Sequence, residues 1–107
     1  MMSNKKLINV LQLFREYEND IPVGTMLCFL HLMDKPGLTV SQAVSSLDMS
    51  KQSASRNLRN LTHRARPGKA GIDVARVEPD ENDYRVQCWH LNERGEALAK
   101  KIKQLTD

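Results

Sequence analysis

No run of apolar residues in this sequence is long enough to cross a membrane. The most apolar stretch, VGTMLCFLHLM at residues 23–33, has 11 residues, whereas a membrane helix needs about 20. The N-terminal MMSNKKLINV lacks the apolar region and the cleavage site of a signal peptide. Two cysteines, Cys28 and Cys88, do not make a disulfide framework. We therefore expect a cytoplasmic protein with no membrane partner.

Patterns that would indicate catalysis or metal binding are also missing. Cys28 and His31 are three residues apart, and Cys88 and His90 lie in one strand pattern, but structural zinc sites use recognisable pairs such as C-x2-C. The GKAG at residues 68–71 lacks the leading glycine and the spacing of a phosphate loop. We predict no metal, no cofactor and no enzyme activity. A redox-sensing cysteine is a weaker alternative, because neither cysteine has an obvious neighbouring cation to lower its pKa.

Acidic residues are absent from almost a quarter of the chain. Residues 49–72, MSKQSASRNLRNLTHRARPGKAGI, contain six Lys or Arg and no acid, so all 13 acids lie elsewhere. The formal net charge of the whole chain is only +3. The distribution of charge is therefore more informative than its total, and it favours a polyanionic partner.

Hydrophobic periodicity predicts a single, mainly α-helical domain over residues 1–107 with one small β-hairpin. The first helix is expected to bury a stripe of Leu7, Leu11 and Phe14, which Val10 and Tyr17 widen. The second is apolar nearly all round and is expected in the middle of the domain. Helices are expected at 4–17, 22–34, 40–47, 50–66 and 93–105, and strands at 72–78 and 84–91.

Three helices have recognisable N-terminal capping residues. Thr39 followed by Gln42 has the form of a capping box, and Ser50 and Asn92 precede the fourth and fifth helices. A capped short helix, a tight turn and a basic helix make the helix-turn-helix pattern.

The basic helix has one polar, cationic face. A helix over 50–66 would turn Ala54, Leu58 and Leu61 inward. Arg and Gln make bidentate contacts to base edges, while Ser, Lys and helix N-terminal amides suit phosphates. The opposite face would carry Gln52, Arg56, Arg59 and His63.

Three motifs resemble MarR-type winged helix-turn-helix regulators over residues 20–99. KQSASRNLRNL at 51–61 is similar to the recognition helix of that family, and DYR at 83–85 matches its Asp-x-Arg wing motif. LNERGEAL at 91–98 is similar to the Leu-Thr-x-x-Gly segment that begins the last helices, with Asn92 in place of Thr. The resemblance implies a winged helix-turn-helix fold and DNA binding. It implies that Ser53, Ser55 and Arg56 face the major groove beside Gln52 and Arg59, and that Arg85 reaches the minor groove.

The chain departs from the family pattern in two places. The segment between Leu61 and Gly71 is longer than is usual, and its extra residues are basic. We expect an extended helix end or a loop there, with phosphate contacts from Arg64, Arg66 and Lys69. The wing tip is acidic, which would repel phosphate and weakens the expectation for Arg85.

The sequence thus predicts a sequence-specific regulator of transcription that binds double-stranded DNA. We expect a repressor that acts as a homodimer on a palindromic site, with helices 4–17 and 93–105 forming the dimer contact. No small-molecule effector is expected, because the terminal helices are short. The alternatives are a winged-helix protein-interaction or accessory module, and a protein that binds nucleic acid without sequence preference. The predicted DNA contacts are Lys51, Gln52, Ser53, Ser55, Arg56, Arg59, Arg64, Arg66, Lys69 and Arg85.

Overall fold

A computed structural model of the chain describes residues 3–107. Residues 1 and 2 of the predicted domain lie outside the described part. Five helices and two β-hairpins follow one another along the chain. No helix within residues 3–107 has the length and hydropathy to cross a membrane. The elements are α1 (Asn4–Arg15), α2 (Val23–Asp34), α3 (Val40–Leu47), α4 (Lys51–Asn60), β1 (Arg64–Arg66), β2 (Lys69–Ala70), β3 (Ala75–Pro79), β4 (Gln87–Leu91) and α5 (Glu93–Thr106).

The buried side chains form one cluster to which every helix contributes. The rings of Phe14 and Phe29 meet edge to face with their centroids 5.6 Å apart, which joins α1 to α2. Helix α5 packs beside α1 and buries Leu98 and Ile102. The predicted mainly α architecture with a β-hairpin wing is confirmed.

The capping predictions are confirmed at all three helices. The Thr39 hydroxyl accepts from the Gln42 backbone N–H at 3.1 Å, and the Gln42 side chain accepts from the Thr39 N–H at 3.1 Å. Ser50 accepts from the Ser53 N–H at 3.0 Å. Asn92 accepts from the Gly95 N–H at 2.9 Å. Each cap pairs a backbone donor that the helix itself leaves unpaired.

Two expectations for the first helices are wrong in part. In α1 Val10 and Phe14 are buried as predicted, but Leu7 and Leu11 are 47% and 48% exposed. Helix α2 contacts α3, α4 and β4, but it is buried only on its Thr25, Cys28, Phe29 and Leu32 side. Its other side meets no element of residues 3–107 that would cover it, so Val23, Leu27 and Leu30 are exposed.

Helix α4 ends at Asn60 rather than at residue 66, because the returning chain satisfies its last carbonyls. The backbone N–H of Ile72 donates to the Asn60 carbonyl at 2.9 Å, and that of Val74 donates to Leu61 at 2.8 Å. These carbonyls therefore have hydrogen-bond partners without a further helical turn. His63, which the sequence placed on the basic face of this helix, lies beyond the helix end and is exposed.

The basic segment after α4 is a β-hairpin, not an extended helix end or loop. Strands β1 and β2 pair antiparallel, and Pro67 and Gly68 form the turn between them. Pro-Gly suits a type II turn, whose second central residue needs a positive φ, and Gly68 has φ +81°. Ala65 is buried while Arg64 and Arg66 point to solvent, which is the alternation of a strand.

The second hairpin, the wing, is shorter than predicted. Strands β3 and β4 pair antiparallel with Val77 opposite Trp89. Arg85 is in the loop before β4, because hydrogen bonds across residues 80–86 close a turn there. Trp89 is buried and bonds through its backbone to Leu38.

A buried polar contact fixes α4 against α2. The Thr25 hydroxyl donates to Oδ1 of Asn57 at 3.0 Å and accepts from Nδ2 of Asn60 at 3.1 Å. Thr25 has no exposed surface. Buried polar groups need partners, so this arrangement restricts how α4 rotates on α2.

We expect Thr25→Val to lower the free energy of unfolding by about 1–3 kcal/mol, because it removes the hydroxyl that pairs with Oδ1 of Asn57 and Nδ2 of Asn60. Urea unfolding followed by circular dichroism measures the change. Thr106→Val, near the end of α5, is the matched control and should stay within about 0.5 kcal/mol of wild type. Equal effects of the two variants would contradict the assigned role of Thr25.

The cysteines should react slowly with thiol reagents in the folded protein. Burial raises the pKa of Cys28 to about 11. Burial, with the carboxylates of Asp80 and Glu78, also raises the pKa of Cys88. Only the thiolate reacts, and at pH 8 it would be about one part in a thousand of Cys28. We expect Ellman's reagent to titrate both thiols rapidly only in denaturant. Rapid reaction of the native protein would favour the redox-sensing alternative.

Candidate nucleic-acid interface

Helices α3 and α4 form the helix-turn-helix predicted from the sequence. The turn at residues 48–50 passes through Asp48, which has φ +53°, a conformation that a short polar side chain tolerates. Ala54, Leu58 and Leu61 are fully buried. The opposite side of α4 therefore faces solvent and exposes Gln52, Arg56 and Arg59.

The first half of α4 carries only short side chains on its flanks. Ser53 and Ser55 are half-buried, while Lys51 and Gln52 are exposed in the first turn. No acidic residue lies in that turn. The positive end of the helix dipole thus coincides with a lysine and with amides that favour an anion.

The cations of the basic segment are free of carboxylates. Within residues 3–107, no salt bridge involves any Lys or Arg between 49 and 72. In contrast, Nε of Arg85 in the wing loop lies 3.0 Å from Oδ1 of Asp83. Hydrogen bonds from the Arg85 side chain and backbone hold the pKa of the Asp83 carboxyl below its usual range. Arg85 therefore carries a neutralising partner that the α4 cations lack.

Two open clefts flank the start of α4. The wing cleft, about 580 Å³, lies between α3, Lys51 and the wing loop, and Arg85 and Tyr84 contribute to its wall. The hairpin cleft, about 530 Å³, lies between α4 and the β1–β2 hairpin. Lys51 lines both clefts. The hairpin cleft is lined by Pro22, Lys51, Gln52, Ser55, Arg56, Arg59, Asn60, Ala65, Arg66 and Lys69.

The structure brings most of the predicted DNA contacts to these two clefts. The wing cleft is lined by Lys51 and Arg85. The predicted contacts that line the hairpin cleft are Lys51, Gln52, Ser55, Arg56, Arg59, Arg66 and Lys69. Ser53 and Arg64 line neither cleft.

Sequence reasoning did not single out Tyr84, which is 81% exposed beside Arg85. It also missed Pro22 at the edge of the hairpin cleft. The DYR motif contains Tyr84 and could have drawn attention to it, whereas no local signal places Pro22 next to α4.

The residues considered for zinc do not assemble. In the described part of the chain, no group of three or more His, Cys, Asp or Glu side chains is placed to hold a metal ion. Cys28 and Cys88 are both buried free thiols.

Comparisons of sequence identify no relative. No protein-family model matches the chain. No curated protein is similar enough to it to count as a match.

Comparison of structures finds MarR-type regulators. A MarR transcriptional regulator from Methanosarcina mazei Go1 is similar with a TM-score of 0.71 and 19% identity, over 92% of this chain and 63% of that one. A second MarR family transcription regulator has a TM-score of 0.68 and 22% identity, over 91% and 58% of the two chains. The heme sensor protein PefR from Streptococcus agalactiae, in complex with heme, has a TM-score of 0.63 and 19% identity, over 92% and 67%.

This chain spans about three-fifths of the length of the first two similar proteins. At these identities the likeness concerns the arrangement of helices and strands. The chain therefore has the winged helix-turn-helix fold of MarR-type regulators.

Proposed function

We propose that this chain regulates transcription by binding specific sites on double-stranded DNA. The supporting observation is the exposed face of α4, which is the second helix of the helix-turn-helix. Arg56 and Arg59 on this face are free of salt bridges within the described part of the chain. A planar guanidinium that no carboxylate engages is available for the paired acceptors of a guanine edge or a phosphate.

In the proposed complex, α4 lies in the major groove with its N-terminal half nearest the bases. Gln52, Arg56 and Ser55 contact base edges, for which Gln and Arg have suitable bidentate geometry. Lys51 and the helix N-terminal amides contact phosphates. Arg59, Arg64, Arg66 and Lys69 add backbone contacts, and Ser53 and Arg85 make the lesser contacts.

The proposal includes a homodimer that occludes a palindromic site. Leu7, Ile8 and Leu11 of α1 are 47%, 53% and 48% exposed, which leaves an apolar strip beside α5 that a second copy would cover. Two copies would read two half-sites, and this increases affinity and fixes register. A dimer that covers promoter DNA would act as a repressor. No small-molecule effector is part of the proposal, although one of the similar structures contains heme.

The acidic wing supports a second candidate function. The wing tip carries four acids within six residues, namely Glu78, Asp80, Glu81 and Asp83, and the residues that follow them line the wing cleft together with Lys51 of the basic helix. Neighbouring surfaces of opposite sign could dock an accessory protein rather than DNA. Binding of nucleic acid without sequence preference would need only the cations.

Selection from a pool of random duplexes, at near-physiological salt, separates these functions. We expect enrichment of a palindrome with half-sites about one helical turn apart. Binding without enrichment would instead indicate a non-specific role. No binding at all would contradict the proposal and leave the basic surface to a protein partner.

We expect Arg56→Ala to weaken binding at the selected site by about 1–3 kcal/mol and to relax base preference at one position of each half-site. Fluorescence anisotropy with the selected duplex and its single-base variants measures both effects. Lys35→Ala is the matched control, because Lys35 is exposed and follows the far end of α2. Unchanged affinity and preference in Arg56→Ala would rule out a base contact by this residue.

A further inference from the structure

The two hairpins of this chain carry opposite charge. Residues 62–72, which include β1 and β2, contain three cations and no acid. The wing tip contains four acids, and its Arg85 is engaged by Asp83. A phosphate backbone is therefore attracted to the β1–β2 hairpin and repelled by the tip of the wing.

The hairpin cleft has cations on two facing walls. Arg66 and Lys69 are cross-strand partners, so their side chains lie next to each other on the hairpin. Arg56 and Arg59 of α4 form the opposite wall. Ala65 is buried at the inner side of the cleft, which fixes the hairpin against the core. None of the residues that line the cleft is acidic.

The edge of the cleft meets the beginning of α2. Pro22 lines the cleft and is the N-cap residue of α2, and no side chain caps this helix. The N-terminus of a helix carries a partial positive charge and outward-pointing amides. A third element therefore adds to the positive potential of a cleft that is already formed by α4 and the hairpin.

We propose that the β1–β2 hairpin is a second wing, and that the hairpin cleft holds the phosphodiester backbone of one DNA strand. This inference rests on the proposed function and concerns the phosphate backbone next to the base-reading face, which shares Gln52, Ser55 and Arg56 with the cleft. A helix in the major groove has one phosphate strand on each side. The hairpin cleft runs along α4 from Lys51 to Asn60, whereas the wing cleft meets α4 only at Lys51. In this chain the basic hairpin takes the backbone-holding role for which the acidic wing is poorly suited.

The test is the salt dependence of binding by Arg66→Gln/Lys69→Gln. For the selected duplex and a scrambled duplex, log affinity falls with log salt by about 0.9 per phosphate contact. We expect the slope to become shallower by about 1.8. We also expect affinity at 0.1 M salt to fall roughly 60-fold on both duplexes, because two contacts are lost. The ratio of the two affinities should not change.

Lys35→Gln removes one charge and is the control for Arg66→Gln and Lys69→Gln measured singly. Lys35 lies outside both clefts and outside the proposed dimer helices, and it follows the C-terminal end of α2, roughly 18 Å from the Pro22 end. Its salt slope should equal that of wild type. Phosphate ethylation interference supplies a second readout. Flanking phosphates that interfere with wild-type binding should lose their effect on the hairpin variant alone.

Several outcomes would overturn the proposal. A hairpin variant with the slope and ethylation pattern of the control would show that Arg66 and Lys69 make no backbone contact. If wild type enriches a palindrome in the selection but the hairpin variant is unaffected, only this inference fails. If wild type binds no DNA, both proposals fail. Saturable binding of inorganic pyrophosphate in calorimetry, lost in the hairpin variant while the salt slope on DNA is unchanged, would assign the cleft to a small anion instead.

Discussion

The packing of α4 on α2 is the contact on which the rest of the candidate interface depends. Ala54 and Leu58 bury the inner face of α4, and the Thr25 hydroxyl bonds to both Asn57 and Asn60. Apolar contact alone allows a helix to rotate or slide by small amounts, whereas a buried hydrogen-bond set with all partners present favours one arrangement. The exposed arginines of α4 therefore project from a fixed base.

The same helix also fixes both hairpins. The chain returns from the basic hairpin along the end of α4, and the carbonyls of Asn60 and Leu61 accept from Ile72 and Val74. Strand β3 of the wing begins directly after this segment. Leu38 pairs with Trp89 along the edge of β4 that does not face β3. The basic hairpin and the wing thus both continue from the C-terminal end of α4, and the two clefts share Lys51 at its start.

The sequence predicts those structural features that depend on contacts between residues close to one another in the chain. Thr39, Ser50 and Asn92 cap helices through contacts three residues away, so the sequence alone predicts each of them. The end of α4 is not predictable in this way, because Ile72 and Val74, which pair with its last carbonyls, lie 12 and 13 residues further along the chain. The basic hairpin did leave a signal in Pro67-Gly68, but its strands of three and two residues are too short for a period to appear. Most of the candidate contacts were found because charge is visible in sequence, whereas the clefts depend on long-range packing.

The small net charge of the chain hides a strong separation of charge. Coulomb attraction to a polyanion depends on the charges within about 10 Å of it, since salt screens those further away. Near α4 those charges are the cations of the helix and of the β1–β2 hairpin, with the acid Asp48 in the turn before the helix, while four of the 13 acids lie at the wing tip. A duplex approaching α4 would therefore be drawn toward the hairpin side and kept away from the wing tip. The acidic tip thus orients such an approach, and the Asp83–Arg85 pair limits how far the wing could follow the backbone.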